Sequence, residues 1–360
     1  MPRRSQAAHS PSIATVKHVA ELAGVSTATV SRVLSGLSGV REPLRIKVVD
    51  AARKLGYQPN RAARDLRARS SRTIGVLIPD IENPFFTSVI RGIEETLHAS
   101  GYTLLLANFN EDPAREAAQL ATFRAEGIAG LIFAASREPA PLYQHLSEAG
   151  MPMLAVSRTI GKLRVDQVTV GNHEGAFNAI THLIGLGHTK IAMITGPAEF
   201  NTARERQQGY EDALRAARLP VDEKMIVHCD FRQTAGHDAM RRLLDAQSRP
   251  TAVFAGSNLL TLGTLQAIHE SALDIPGDIA IIGFDEMAWA MSLRPPLTTV
   301  AQPALEVGRT AAELLLDRIR KPEQPRKQVV LETQLMVRAS CGATANGKRA
   351  SSRRYTNTQP

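Results

Sequence analysis

Two sets of side chains in this sequence have the types and spacing to do chemistry. Ser26, Thr27, Ala28, Thr29, Ser31, Arg32 and Ser35 crowd into one short stretch. Short hydroxyls donate well to phosphate oxygens, and a guanidinium can grip the O6/N7 edge of a guanine with two bonds. The second set recurs just after apolar runs of strand character: Asp80, Phe85, Phe86, Ser157, Arg158, Phe200, Thr202, Arg206, Phe231, Ser257, Asn258 and Asp285. Carboxylate, amide and guanidinium groups hydrogen-bond hydroxyls while aromatic faces cover C–H surfaces, which suits a sugar-like polyol. Phe85 and Phe86 are adjacent, so one of them is expected in the core. Trp289, the only tryptophan, fits either the wall of such a site or the core beneath it.

Covalent and metal chemistry have no comparable grouping. There is no GxGxxG after the first strand, no GxxxxGK[ST] and no GxSxG. Cys229 and Cys341 are the only cysteines; they form no CxxC pair, and no HExxH occurs. A polar cleft without a nucleophile–base pair binds rather than turns over, so no enzyme, cofactor or metal is expected. No apolar run reaches the ~18 residues of a membrane span. Arg3 and Arg4 are followed by no apolar stretch, so no secretory signal is read there, and a cytoplasmic protein without a membrane partner is expected.

The elements that must position these residues follow from periodicity and charge. Residues 1–72 carry 14 Lys/Arg against 4 Asp/Glu, a balance of +10, whereas residues 73–343 sum to −6 within a chain of net charge +8. A basic head on a mildly acidic body points to a phosphate-binding module joined to a separate domain. Val16, Val19, Ala20 and Ala23 line one face of a short helix. Gly24 supplies a turn, and Ser26 caps a second helix whose apolar face is Val30, Val33 and Leu34. That is a helix-turn-helix. Thr27, Ala28 and Arg32 are thereby aimed at base edges and Ser26, Thr29, Ser31 and Ser35 at phosphates. A third helix, about 43–55, is expected to close the core with Val48, Val49, Ala52 and Leu55 and to stop at Pro59. Asn60 can cap a further short helix to about residue 67, on which Leu66 has nothing in its own chain to bury it.

Over residues 73–343 strand and helix signals alternate, which means parallel sheets in right-handed βαβ units. Ile74, Pro79, Glu82 and Asn83 are echoed by Ile191, Pro197, Glu199 and Asn201, a hint of two similar lobes. In such sheets ligands lie beyond the carboxyl ends of the strands, where the second set of residues falls.

The stretches VAELAGVSTATVSRVL, KLGYQPNRAARDLR and SRTIGVLIPDIENPFF closely resemble the LacI/GalR (lactose-repressor) family of bacterial transcription regulators, and the resemblance runs from Thr15 to Gly342. It implies a hinge helix over 60–66 that forms when two subunits meet on an operator, with Leu66 wedged into the minor groove, a step whose unstacking is offset by contacts the bend permits. Ala63 would then lie against the groove floor. It also implies a body like periplasmic sugar-binding proteins, with three crossovers between lobes, placed near Asn172, Ala301 and Pro322. Arg206, Asn258 and Asp285 match the family's ligand motifs. Ser157 stands where the family often has aspartate, and Phe200 where purine-type members have arginine. Arg41-Glu42-Pro43-Leu44-Arg45 departs from the family's usual start of the third helix.

The expected architecture is therefore α/β. It has an arm (1–14), an all-α helix-turn-helix head (15–58) and a hinge (59–72). A two-lobed body (73–343) and a basic tail (344–360) complete it. The N-terminal lobe takes 73–171 and 301–322, the C-terminal lobe 172–300 and 323–343. The expected function is an operator-binding regulator, a repressor and homodimer, controlled by a sugar or sugar derivative. Its rival, a sugar-binding protein of a transport system, accounts for the body but leaves residues 15–66 without a role.

Overall fold

The computed structural model describes residues 14–34, 39–57, 71–136, 141–159, 161 and 163–343, and the chain divides into two compact units at Ser71/Arg72. In the first unit three helices, α1 (Val16–Ala23), α2 (Thr27–Leu34) and α3 (Glu42–Lys54), enclose a core of Val19, Ala20, Ala23, Val30, Val33, Val48, Ala51 and Ala52. Gly24 ends α1 in the left-handed region at φ 65°, where a side chain would be strained. Two details differ from the sequence reading of α3. Val49 is exposed and Ala51 is buried in its stead, because a position three after Val48, not one after it, shares its face. Gly56, at φ 57°, ends the helix ahead of Pro59, with Tyr57 N–H closing on Ala52 O at 2.9 Å.

The second unit holds two six-stranded sheets. The N-terminal lobe has strand order β11-β5-β4-β3-β1-β2, formed by β1 (Thr73–Ile78), β2 (Thr103–Asn108), β3 (Gly130–Phe133), β4 (Met153–Val156), β5 (Asp166–Val170) and β11 (Gln328–Leu331), all parallel. The C-terminal lobe has order β12-β10-β9-β8-β6-β7, from β6 (Ile191–Thr195), β7 (Ile226–His228), β8 (Ala252–Ala255), β9 (Ala280–Phe284), β10 (Thr298–Ala301) and β12 (Gln334–Met336). Here β12 alone runs antiparallel to its neighbour.

Helices cover both faces of each sheet, which is why the central strands are buried along their whole length. On the first sheet α4 (Pro84–Ala99) and α11 (Ala304–Arg320) cover one face, α5 (Pro113–Ala125) and α6 (Leu142–Glu148) the other. On the second, α7 (Asn172–Gly185) and α8 (Asn201–Ala216) lie opposite α9 (Gln233–Asp245) and α10 (Asn258–Glu270). The chain crosses between lobes after β5, after β10 and at Glu332–Thr333. The last crossing falls later than Pro322 because 328–331 pairs with β5 before the chain returns as β12. Residues 323–331 thus belong to the N-terminal lobe. In both sheets the order reverses beside the first strand, between β1 and β3 and between β6 and β8, and these reversals open the crevices in which ligands sit.

Candidate functional site

The carboxyl ends of the two sheets bring most of the second residue set together. At its centre is Asp285, which follows β9 and holds φ 81°, a left-handed backbone uncommon for any residue but glycine. Its Oδ2 accepts the Asn258 backbone N–H at 2.9 Å, so a carboxylate sits at the N-terminus of α10, where the helix dipole favours it. Its Oδ1 accepts from Gln302 Nε2. Asn258, 1 % exposed, reaches across the lobes: its Nδ2 donates to Asn83 Oδ1 at 2.8 Å, the same oxygen that caps α4 by accepting from Phe85 N.

Arg206 projects from α8. Its Nε donates to Asn172 Oδ1 at 2.9 Å, its Nη1 donates to Gly256 O, and its guanidinium carbon lies 3.7 Å from the Phe284 ring centroid. Burial pushes its pKa down to about 10, with Asp285 and Glu205 opposing and Arg158 adding; the group stays charged near neutrality. Asn172 Nδ2 and Asn201 Nδ2 donate to the two oxygens of Glu205. Asn201 Oδ1 in turn accepts from Thr159 N–H of the opposite lobe at 3.1 Å.

Arg158, after β4, makes a bidentate pair with Glu111 at 2.8 and 2.5 Å and donates to Ala135 O. Phe200 and Phe231 lie 5.8 Å apart by centroid, with Phe200 and Thr202 buried and Phe231 half-buried. Ser157 is half-buried at φ 63°. Asp80 has its pKa raised by burial, against the hydrogen bond it accepts from Glu82 N–H, with the charges of Glu82 and Glu111 adding and Arg232 opposing.

One aromatic expectation is revised. Phe85 and Phe86 both pack into the N-terminal lobe's core, edge-on at 5.2 Å, because α4 turns two consecutive positions inward at its first turn. Trp289, open in the sequence to either place, is half-buried and packs against the C-terminal lobe's core. Asn83, Glu111, Asn172, Asn201 and Gln302 went unread as site residues. Asn83 and Asn201 were visible as parts of the repeat, but Gln302 follows β10, whose Thr-Thr-Val-Ala is not an apolar run.

In the head, Ser26, Thr27, Ala28 and Arg32 are exposed and Thr29 and Ser31 half-buried. Ser26 Oγ accepts the Thr29 N–H at 3.1 Å and shares a hydroxyl–hydroxyl bond with Thr29 Oγ1, so these two residues brace the start of α2. Arg45 forks onto Glu42 within α3. Ser35, Asn60, Ala63 and Leu66 lie outside the described residues. Among the described residues no helix is long and apolar enough to cross a membrane, and no three acidic, Cys or His side chains gather as a metal would need.

Residues 15–60 match the family model "Bacterial regulatory proteins, lacI family", and residues 180–341 match "Periplasmic binding protein-like domain". The HTH-type transcriptional repressor CytR of Escherichia coli (strain K12) is 37% identical over 330 residues, 92% of this chain and 97% of that protein. The chain belongs to the LacI family. As a LacI-family regulator it is also similar to the solved transcriptional regulator CelR–cellobiose complex, at 34% identity and TM-score 0.71 over 91% of this chain and 99% of that one. To the lac repressor dimer bound to operator and the anti-inducer ONPF the figures are 26% and 0.81, over 92% of the regulator and 99% of that chain. The regulator is thus a DNA-binding transcription factor with a helix-turn-helix head and a two-lobed body, and its relatives give no support to a transport role.

Proposed function

We propose that the regulator is a repressor that binds a palindromic operator as a homodimer and is controlled by an uncharged, polyhydroxylated effector of sugar type held between the lobes. One observation carries the effector class. Four buried side-chain oxygens at the carboxyl ends of the strands have no protein partner: Asn108 Oδ1 at β2, Thr195 Oγ1 at β6, Asn258 Oδ1 after β8 and Gln302 Oε1 after β10. Buried acceptors without donors are costly, and a molecule rich in O–H groups supplies donors. The cleft's cations are already matched, Arg158 by Glu111 and Arg206 by the nearby charges of Asp285 and Glu205, so an anionic effector gains little there.

In this reading Asn258, Asp285 and Arg206 hold hydroxyls and Phe200 and Phe231 cover the C–H face, with Ser157 and Thr202 at the margin. The reading is supported by the cellobiose complex of one relative and by the operator-bound dimer of another. The protein works in the cytoplasm, on DNA, and binds its effector without turning it over. A thermal-shift panel of neutral sugars, sugar phosphates, sugar acids, nucleosides and purines tests this. A bound ligand at 100 times its Kd stabilises by about 2.7 kcal/mol. Stabilisation by a neutral sugar is expected; stabilisation by phosphorylated or acidic sugars alone would overturn the class.

A further inference from the structure

Arg158 stands apart from the other cleft residues because the hydrogen bonds it makes lie within its own lobe while its flat face meets the opposite one. Glu111 takes two of its N–H groups and the Ala135 carbonyl a further bond. Its guanidinium carbon lies 3.9 Å from the Phe200 centroid and 5.6 Å from that of Phe231, both on the C-terminal lobe. A cation over an aromatic face at this distance is attracted by the ring quadrupole, more strongly when desolvated, and Arg158 is 5 % exposed.

The backbone around this contact is arranged to hold it. Asn110 and Glu111 occupy the left-handed region in succession, at φ 53° and 57°, and Ser157 does so at φ 63°. Among the described residues six that are not glycine have positive φ. Two of these, Arg218 and Ala272, come just past the C-caps of α8 and α10; the other four follow strands at their carboxyl ends. Strain concentrated where two bodies meet marks a position selected for something other than folding economy. The next residue, Thr159, donates its N–H to Asn201, the neighbour of Phe200. The turn after β4 therefore grips the start of α8 at two adjacent points.

We propose that Arg158, positioned by Glu111, is an interlobe latch whose stacking on Phe200 sets the balance between open and closed lobes in the absence of effector, and that Arg158 is not itself an effector donor. Glu111 is a positioning residue in this scheme: it fixes the plane of the guanidinium against the ring. A protein that binds effector only when closed shows an apparent affinity reduced by the closed fraction, so the latch also tunes sensitivity to effector from outside the hydroxyl-binding groups.

The test needs no effector, so it stands or falls separately from the sugar reading. Amide hydrogen exchange is followed at Thr159, whose N–H is protected only while the lobes touch, and at Ile132 and Ile282 in central strands of each sheet as controls for folding. In Phe200→Leu and Arg158→Met, exchange at Thr159 is expected to accelerate at least tenfold with the two controls unchanged. Glu111→Gln, which keeps the shape and removes the charge, should give an intermediate acceleration, and Glu111→Asp a partial return toward the parent rate. Thr159 protection unchanged in Phe200→Leu and in Glu111→Gln, with controls intact, would overturn the latch. Acceleration at Thr159 and the controls alike in all four variants would also overturn it, by showing that the contact only supports the fold.

Discussion

Asp285 shows how a single residue can be asked to do two incompatible things. Its carboxylate seats the N-terminus of α10 and takes the Gln302 amide, while its backbone sits at φ 81°. Asp285→Ala and Asp285→Gly both lose the carboxylate, but only glycine relaxes the backbone. The glycine variant should therefore be more stable than the alanine variant by about 1 kcal/mol in urea titrations, and equal stabilities would show that the φ is unstrained. In the head, Arg32 is exposed on α2 beside Ala28. Arg32→Ala should weaken operator binding by about 1–3 kcal/mol and relax preference at one base of each half-site; binding-site selection with an unchanged consensus would remove Arg32 from the readout.

The elements are held by contacts of unequal legibility. Gly308 of α11 lies so close to α4 that a Cβ there would meet Val89 O at 2.0 Å, and Gly92 answers it against Leu305 O at 2.1 Å. Overpacking of this kind costs roughly 1–3 kcal/mol or more, so Gly308→Ala should lower the urea midpoint by at least that equivalent. A second fastening joins α9 to α10: His237 Nε2 meets Glu270 at 2.8 Å and its Nδ1 meets Asp238. Hydrogen bonds donated to Glu270 and Asp238 raise the His237 pKa, with Arg241 acting on Glu270 nearby. The stabilisation from a raised histidine is complete below its ordinary pKa near 6.5 and fades as pH climbs through the raised value. The stability difference between the parent and His237→Gln should thus be larger at pH 5.5 than at pH 9, and small throughout because the pair is exposed. A difference independent of pH would discount the pairing.

Neither fastening was readable from residue types. A helical glycine looks like a weak helix position until its neighbour is known, and His237 carries no sign of a partner 33 residues on. The alternation of strands and helices was legible because buried parallel strands are apolar runs flanked by Asn, Asp and Gly caps. The strands β5, β10, β11 and β12 were not, since they are not continuous apolar runs: β5 alternates with polar residues, β10 opens on two threonines, and β11 and β12 are partly exposed edge strands. Missing β11 displaced the last crossover. The cleft residues were found from their place after strands, yet the cross-lobe partners Asn83 and Asn201 depend on how two lobes close, which no local pattern encodes.

At the scale of the whole molecule, the head supplies charge and exposed α2 side chains while the body supplies a cleft between two lobes, and regulation requires that the two be energetically linked. Coupling of about 1–3 kcal/mol, typical between such sites, changes operator affinity by roughly 5–150-fold, in either direction. The decisive measurement is operator affinity by fluorescence anisotropy, with and without the neutral sugar that stabilises the parent protein, repeated on Asn258→Ala. The account predicts a change of at least fivefold in the parent and none in Asn258→Ala, with the same operator affinity for the two proteins in the absence of sugar to within a factor of three. A sugar that stabilises the protein yet leaves operator affinity unchanged would contradict it.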